Sequence, residues 1–211
     1  SRKEAGRQLA KQHPVDGDIV IGVPDSGLDA AIGYSEESGI PFGFGLVKNR
    51  YIGRTFISPT QSQREIGVKI KLNALKSSVE GKRVIMIDDS IVRGTTVKRL
   101  VDILRKAGAK EVHMRVSSPP FLWPCYYGTD VPSKDKLIAC QYPLDKIADV
   151  IGVDSLGYLS TDSLENLTLG TKCGFCDACF TGRYPTELPK FEQEDIINET
   201  EIRKSPKFTI H

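Results

Sequence analysis

The stretch that most constrains this chain is Lys82-Arg-Val-Ile-Met-Ile-Asp88. Val84, Ile85, Met86 and Ile87 follow one another without polar alternation, so a strand built from them must be buried on both faces. Such strands belong to parallel sheets covered by helices on either side. The flanking sequence agrees. A turn, Asp89-Ser-Ile-Val-Arg-Gly94, leads into Val97, Leu100, Val101 and Leu104 at helical spacing, and this stripe ends at Gly108. Residues 111–117 read as a further strand. An earlier one is expected over 18–24, followed by Asp25-Ser-Gly27 and a helix over 28–35. Strand–turn–helix alternation of this kind predicts an α/β fold with a central, mostly parallel sheet flanked by helices.

The remaining segments carry weaker patterns. Residues 2–12 form a helix candidate stopped by His13-Pro14, and 41–47 an extended piece. Residues 61–76 place Ile66, Ile70 and Ala74 on one face, which predicts a helix starting near Pro59 and weakened by Gly67. After Pro119-Pro120 prolines, aromatics and cysteines appear. A helix is expected over 143–152, with Leu144, Ile147, Ala148 and Ile151 on one face, and a short extended segment over 155–160. The charged tail predicts a helix near 192–198. The organisation expected is a core over 1–118, its remainder with a Cys-rich segment over 119–188, and a tail over 189–211. No internal repeat occurs, and no run approaches the ~20 apolar residues of a membrane span. The start, Ser-Arg-Lys-Glu, has no signal-peptide character, so a cytoplasmic protein is expected. The missing initiator Met suggests a processed or truncated piece of something longer.

Composition matters here for its distribution. The 211 residues carry 29 Lys+Arg and 27 Asp+Glu, a net charge of only +2. Residues 47–110 alone hold 15 basic and 5 acidic groups, a local +10 between acidic segments. A plain solvated face is one reading of such a belt. A polyanion site, for nucleic acid or a multiply phosphorylated metabolite, is the other. A nucleic-acid binder should interleave aromatics with its cations, and the belt has only Tyr51 and Phe56.

The chemistry concentrates in Ile85-Met-Ile-Asp-Asp-Ser-Ile-Val-Arg-Gly-Thr-Thr96. Two adjacent carboxylates, Asp88 and Asp89, stand at the carboxyl end of a buried strand, where open α/β sheets bind ligands. Ser90 comes next. The backbone N–H groups of Arg93, Gly94, Thr95 and Thr96, with the two threonine hydroxyls, would form an anion cup at a helix N-terminus. Carboxylates beside such a cup suit ribose hydroxyls, Mg²⁺, or both. The structural alternative is a pair of acids that merely cap the next helix. No Walker P-loop is present, and no G-x-G-x-x-G sits at a strand–helix turn.

These twelve residues resemble the 5-phosphoribosyl-1-pyrophosphate (PRPP) binding motif of type I phosphoribosyltransferases. Three further stretches narrow the resemblance: Val23-Pro-Asp-Ser-Gly-Leu28, Lys48-Asn-Arg-Tyr-Ile-Gly-Arg-Thr-Phe56 and Gln63-Arg-Glu-Ile-Gly-Val-Lys-Ile-Lys-Leu-Asn73. With Cys176-Asp-Ala-Cys-Phe-Thr-Gly-Arg-Tyr-Pro185, they resemble the C-terminal half of the glutamine phosphoribosylpyrophosphate amidotransferase family, over residues 1 to about 188. The resemblance implies the type I phosphoribosyltransferase fold and transfer of phosphoribosyl from PRPP to ammonia, giving 5-phosphoribosylamine and pyrophosphate at the first step of purine synthesis. It implies PRPP contacts at Asp25, Ser26 and Gly27, the pyrophosphate turn, and at Asp88, Asp89, Ser90, Arg93, Gly94, Thr95 and Thr96. Mg²⁺ would be held by Ser26, Asp88 and Asp89. Arg54, Arg64, Lys69 and Lys71 would lie on a segment that closes over substrate. No catalytic base is assigned, because free ammonia needs none. AMP and GMP are the implied feedback inhibitors, and a tetramer the implied assembly. The glutaminase half of the family, with its terminal Cys, has no counterpart here, since no Cys precedes Cys125.

Five cysteines occur, three of them in the C-x2-C-x2-C of Cys173, Cys176 and Cys179. That clustering favours a metal or an iron–sulfur site over an extracellular disulfide framework. The resemblance to the Bacillus type implies a [4Fe-4S] cluster on Cys125, Cys176 and Cys179, with its fourth ligand in the absent half. Cys173 as fourth ligand, Zn²⁺ in place of the cluster, and free thiols stay open. Cys140 reads as a small buried hydrophobe and His113 as a packing or solvated residue. Two further functions compete. A non-catalytic sensor of PRPP or nucleotides would keep the Asp-Asp turn but tend to lose Arg64, Lys69 and Lys71, which are present. A purine-salvage phosphoribosyltransferase would need a base-binding hood, which the Cys-rich segment does not suggest.

Overall fold

Strand Arg83–Asp88 is the middle of the molecule, buried from Val84 to Asp88 and paired along both edges. The computed structural model of this chain describes residues 1–48, 72–128, 133–167 and 174–187. In chain order its elements are α1 (Arg2–Gln12), β1 (Ile19–Gly22), α2 (Leu28–Ser38), β2 (Leu46–Lys48), β3 (Leu72–Ala74), α3 (Lys76–Val79), β4 (Arg83–Asp88), α4 (Thr95–Lys106) and β5 (Glu111–Val116). They continue with α5 (Ile138–Gln141), α6 (Leu144–Ile151), β6 (Ser155–Tyr158), α7 (Ser163–Leu167) and α8 (Ala178–Thr181). The main sheet is parallel throughout, in the order β1-β4-β5-β6, and β2 and β3 form a separate antiparallel pair.

Side chains alternate across the sheet with period two, and both sets are buried. Ile19, Ile21, Val84, Met86, Val112 and Met114 pack under α4 and α6 against Val97, Leu100, Val101, Leu104, Ile147 and Ile151. Val20, Ile85 and Ile87 face the other way, onto Leu9 of α1 and Ala30, Ala31 and Tyr34 of α2. No helix among the described residues is long and apolar enough to cross a membrane.

Two contacts fix the α1–α2 layer. A Cβ on Gly6 would collide with the Ala30 carbonyl oxygen, and one on Gly33 with the Lys3 carbonyl oxygen. The helices therefore touch backbone to backbone, closer than two side-chain-bearing surfaces allow. Arg115, buried in β5, donates from Nε to the His13 carbonyl at 2.9 Å and from one terminal nitrogen to Ser155 Oγ at 3.0 Å. It ties the end of α1 to the sheet.

The expected elements are present with altered bounds. Asp18 is not in β1, because its carboxylate turns back to accept from the Arg83 backbone N–H at 2.8 Å and from the guanidinium at 2.8 and 3.3 Å. Helix α2 runs three residues beyond the expected Ser35 and stops at Gly39, in the left-handed region with φ +74°. Of the extended piece 41–47, only Phe42 joins the main sheet, by a single bridge to Val20, and Leu46–Lys48 pairs elsewhere. The helix expected over 61–76 is contradicted at its described end, where Leu72–Ala74 is a strand on β2 and Lys76 opens a new short helix. The rest of that expectation and the tail helix lie outside the described residues.

Gly33→Ala forces α1 and α2 apart and is expected to lower unfolding free energy by about 1–3 kcal/mol in urea titrations. A second outcome concerns acid stability. The Arg83 guanidinium and backbone hold the Asp18 carboxyl down at about 2. A group depressed in the folded state contributes stability above its ordinary value and loses it as pH falls through the folded one. Asp18→Asn is thus expected to lower the denaturation midpoint at pH 7, the deficit shrinking as pH falls from about 4 to about 2.

Candidate active site

Parallel strands all end at the same edge, and three turns meet there. Val23, just past β1, donates its N–H to the Ile87 carbonyl at 2.8 Å. Past β5, Ser117 donates its backbone N–H to the Asp88 carbonyl at 2.9 Å and its hydroxyl to the same oxygen at 3.2 Å. Asp88 itself is the last residue of β4. The turn 24–27, the Asp88–Asp89 pair and Ser117 are thereby held side by side at the carboxyl ends of adjacent strands, the ligand edge of an open α/β sheet.

Turn 24–27 is shaped by contact with β4. A Cβ on Gly27 would lie 2.5 Å from the Ile87 carbonyl oxygen, so only glycine lets the turn approach. The peptide bond between Pro24 and Asp25 is cis. The Gly27 N–H is taken by the Val23 carbonyl at 2.9 Å. Ser26 is half-buried. Asp25 is exposed and bonded to Lys48 Nζ at 2.6 Å.

The two carboxylates differ in environment. Asp88 is 7% exposed and accepts the Asp89 backbone N–H on Oδ1 at 2.8 Å. Burial, and next the neighbouring Asp89 charge, push its carboxyl up to about 7. Asp89 is exposed and accepts the Ser90 hydroxyl at 2.9 Å. Beyond them Gly94, with φ +76°, starts α4 without a side-chain cap. The first N–H groups of a twelve-residue helix, at Thr95 and Thr96, thus carry no capping side chain. Arg93, Thr95 and Thr96 are exposed. A Cβ on Gly94 would strike Ile138 of α5, a second reason for glycine at that position.

The structure therefore brings Asp25, Ser26, Gly27, Asp88, Asp89 and Ser90 to one edge, continuous with Arg93, Gly94, Thr95 and Thr96. Arg54, Arg64, Lys69, Lys71 and Cys173 lie outside the described residues. Ser117 and Lys48 were not among the site residues expected from the sequence, although Lys48 begins one of the quoted motifs. Lys48 opens the basic belt, but its partner stands 23 residues earlier.

The cysteines form a separate group. Cys125, Cys140 and Cys179 pack around Phe121 and Leu137, with Phe180 beside them. None of Cys125, Cys140, Cys176 and Cys179 is in a disulfide. Cys140 is half-buried rather than buried, and its thiol donates to the Leu122 carbonyl at 3.3 Å. Burial, then the nearby Cys125 and, more weakly, Cys176, push the Cys179 thiol up to about 11. Among the described residues no three His, Cys, Asp or Glu side chains are gathered to hold a metal ion. His113 is a packing residue, 6% exposed between Ser155 Oγ at 2.9 Å and Glu111 at 3.1 Å.

A cavity of about 690 Å³ opens at the opposite, amino end of the strands, lined by Lys11, Asp16, Glu37 and Arg83. Three of these four charges are spent on local ion pairs, Lys11 with Glu37 and Arg83 with Asp18. Chemistry favours the carboxyl edge, where the adjacent Asp88 and Asp89 carboxylates and the uncapped N-terminus of α4 converge.

Comparison with known proteins agrees with the chemistry of that edge. Residues 2–123 match the family described as phosphoribosyl transferase domain. The chain is 56% identical over 200 residues to amidophosphoribosyltransferase of Synechococcus elongatus, covering 94% of this chain and 41% of that protein. It is 53% identical over 193 residues to that of Bacillus subtilis, covering 89% and 40%. A solved structure of glutamine phosphoribosylpyrophosphate amidotransferase from B. subtilis, complexed with ADP and GMP, superposes with a TM-score of 0.80 at 52% identity, over 90% of this chain and 42% of that one. The chain thus spans about two fifths of the length of these relatives.

Asp88 gives a sign-specific test on metal-free protein. Its carboxyl is raised in the folded state, so the unfolded chain ionises first and stability falls as pH rises from about 4 to about 7. Asp88→Asn removes this penalty and is expected to be more stable than the parent by roughly 2–4 kcal/mol at pH 8, and equal to it near pH 4, in thermal or urea unfolding.

Proposed function

Because the chain belongs to the phosphoribosyl transferase family, we propose that its carboxyl edge binds PRPP and transfers the phosphoribosyl group to ammonia, releasing pyrophosphate and forming 5-phosphoribosylamine. The observation that carries this reading is the convergence of the Asp88–Asp89 pair, the turn 24–27 and the uncapped start of α4 on one sheet edge. The N-terminal turn of α4, with Thr95 and Thr96, receives the 5-phosphate. Asp88 and Asp89 accept the ribose hydroxyls. Ser26 faces the pyrophosphate.

Oxygen donors from Ser26, Asp88 and Asp89 suit Mg²⁺. That ion keeps much of its shell as water and substrate phosphate, so a closed protein cage is not required. When bound with PRPP, Mg²⁺ neutralises charge on the departing pyrophosphate. The protein supplies the rest by holding PRPP so that C1 of the ribose is open to ammonia on the side opposite pyrophosphate, giving inversion. The transition state has oxocarbenium character and a leaving polyanion, so fixed dipoles outweigh any proton transfer, and no base is required. Arg64, Lys69 and Lys71 add cations for the same polyanion.

For the cysteines, we propose that Cys125, Cys176 and Cys179 supply three thiolates of a [4Fe-4S] cluster whose fourth ligand is Cys173 or lies outside this chain. The described thiols alone do not close a site. The high Cys179 value describes an unligated thiol, and ligation would reverse it. The cluster's role is structural, and no step of the reaction passes through it. The ADP and GMP held by the B. subtilis relative suggest nucleotide feedback on the longer enzyme.

The test is to incubate the chain with PRPP, Mg²⁺ and ammonium salt and to measure pyrophosphate release. Release is expected with ammonium and not with glutamine. Asp88→Asn and Asp89→Asn are each expected to lower kcat/KM by about 10²-fold or more. Background-level release, with both variants matching the parent, would refute the reading.

A further inference from the structure

The turn that leads into α4 pivots on a glycine. Gly94 sits in the left-handed region at φ +76°, α4 starts without a side-chain cap, and Arg93, Thr95 and Thr96 face solvent. A glycine turn of this kind samples several conformations unless its neighbours hold it. Here the hold comes from α5, far on in sequence. Ile138 donates its N–H to the Val92 carbonyl at 2.9 Å. Its buried side chain covers Gly94 so closely that a Cβ there would strike Cδ1. The preceding residue, Leu137, is fully buried and packs with Val92. Two adjacent residues thus grip the turn at Val92 and at Gly94. Their segment is anchored in turn: Lys134 Nζ lies 3.7 Å from the centre of the Trp123 ring, and the Cys140 thiol donates to the Leu122 carbonyl.

We propose that Ile138 is a positioning residue for the 5-phosphate: acting through the main chain of Val92 to Gly94, it fixes the turn so that the first N–H groups of α4 are aimed at the anion before it arrives. The proposal rests on the phosphoribosyl-transfer reading for the ligand, and on the contacts above for the hold. The side chain is apolar and buried, so it acts through the turn and not on the phosphate. If the aligned turn is populated only about a tenth of the time without it, phosphate affinity falls about tenfold.

The test compares Ile138→Ala and Ile138→Val with Leu9→Ala, a cavity variant in the opposite helical layer, in the whole 211-residue chain. Ile138→Val removes only Cδ1, the atom over Gly94, and serves if Ile138→Ala does not fold. Calorimetric titration with ribose 5-phosphate probes the α4 end of the site, and magnesium pyrophosphate the turn 24–27. Ile138→Ala is expected to weaken ribose 5-phosphate about tenfold and magnesium pyrophosphate by less than about twofold, with Ile138→Val between it and the parent. KM for PRPP rises in parallel while kcat stays within about twofold. Leu9→Ala changes neither affinity. Loss of both affinities together, or parent-like affinities in the Ile138 variants, overturns the proposal. Hydrogen exchange on the ligand-free proteins separates the proposal from the functional reading. The Lys98 N–H, bonded to the Gly94 carbonyl at 3.0 Å, is expected to exchange about tenfold faster in Ile138→Ala, while the Val23 N–H on the Ile87 carbonyl keeps its rate. If the parent binds neither ligand but Lys98 responds in this way, the phosphoribosyl reading fails and the hold on the turn stands. An unchanged Lys98 rate overturns the hold.

Discussion

Everything at the candidate site depends on strand β4 having no free side. Its faces are covered by two helical layers and its edges are paired to β1 and β5 in fixed register, Gly22 to Ile87 and Asp88 to Val116. A one-residue slip would exchange Val84 and Met86 with Ile85 and Ile87 across the sheet and misplace every side chain at once. That constraint sets Asp88 at the edge to within a side-chain rotamer. Both the β1 turn and Ser117 are hydrogen-bonded to the main chain of Ile87 or Asp88, so they inherit the same precision. Ligand groups on three segments need no mutual contact to be placed correctly.

The ligands proposed for this edge set opposite demands on one small region. A sugar and a divalent cation would need carboxylates, while a polyanion would need them absent or balanced. The chain meets these demands by partition. Asp88 is buried, with its ionisation suppressed until the pH approaches neutrality, and Asp25 is exposed but paired. Asp89 faces solvent with the Ser90 hydroxyl on it. In sequence Asp88 and Asp89 fall inside the stretch 47–110, which holds 15 basic and 5 acidic groups.

Legible in the sequence was whatever repeats locally. The run Val84 to Ile87 and the stripe Val97, Leu100, Val101, Leu104 each carry their burial pattern within a dozen residues, and both elements appear where expected. The Asp88–Thr96 turn was readable because strand, acids and helix start are contiguous. Asp18 misled because a carboxylate beside a strand start can bond sideways to Arg83, 65 residues on. Strand β3 was hidden because three residues have no period, and its partner β2 is far off in sequence. Lys48 and Ser117 escaped for the same reason: one is defined by an ion pair, the other by a bond to a neighbouring strand. The cysteine group was visible as spacing. Its packing around Phe121 and Leu137 was not.

The glycine contact between α1 and α2 has a consequence for the site. Helix α2 starts at Leu28, directly after the turn 24–27, and touches α1 through Gly33. At a rise of about 1.5 Å per residue, the touching point lies roughly 9 Å along a stiff rod from Gly27. The rod works as a lever pivoting on bare backbone. A methyl group added at Gly33 would press on the Lys3 main chain of α1, within one rod's length of the turn that Val23 and Gly27 hold against β4.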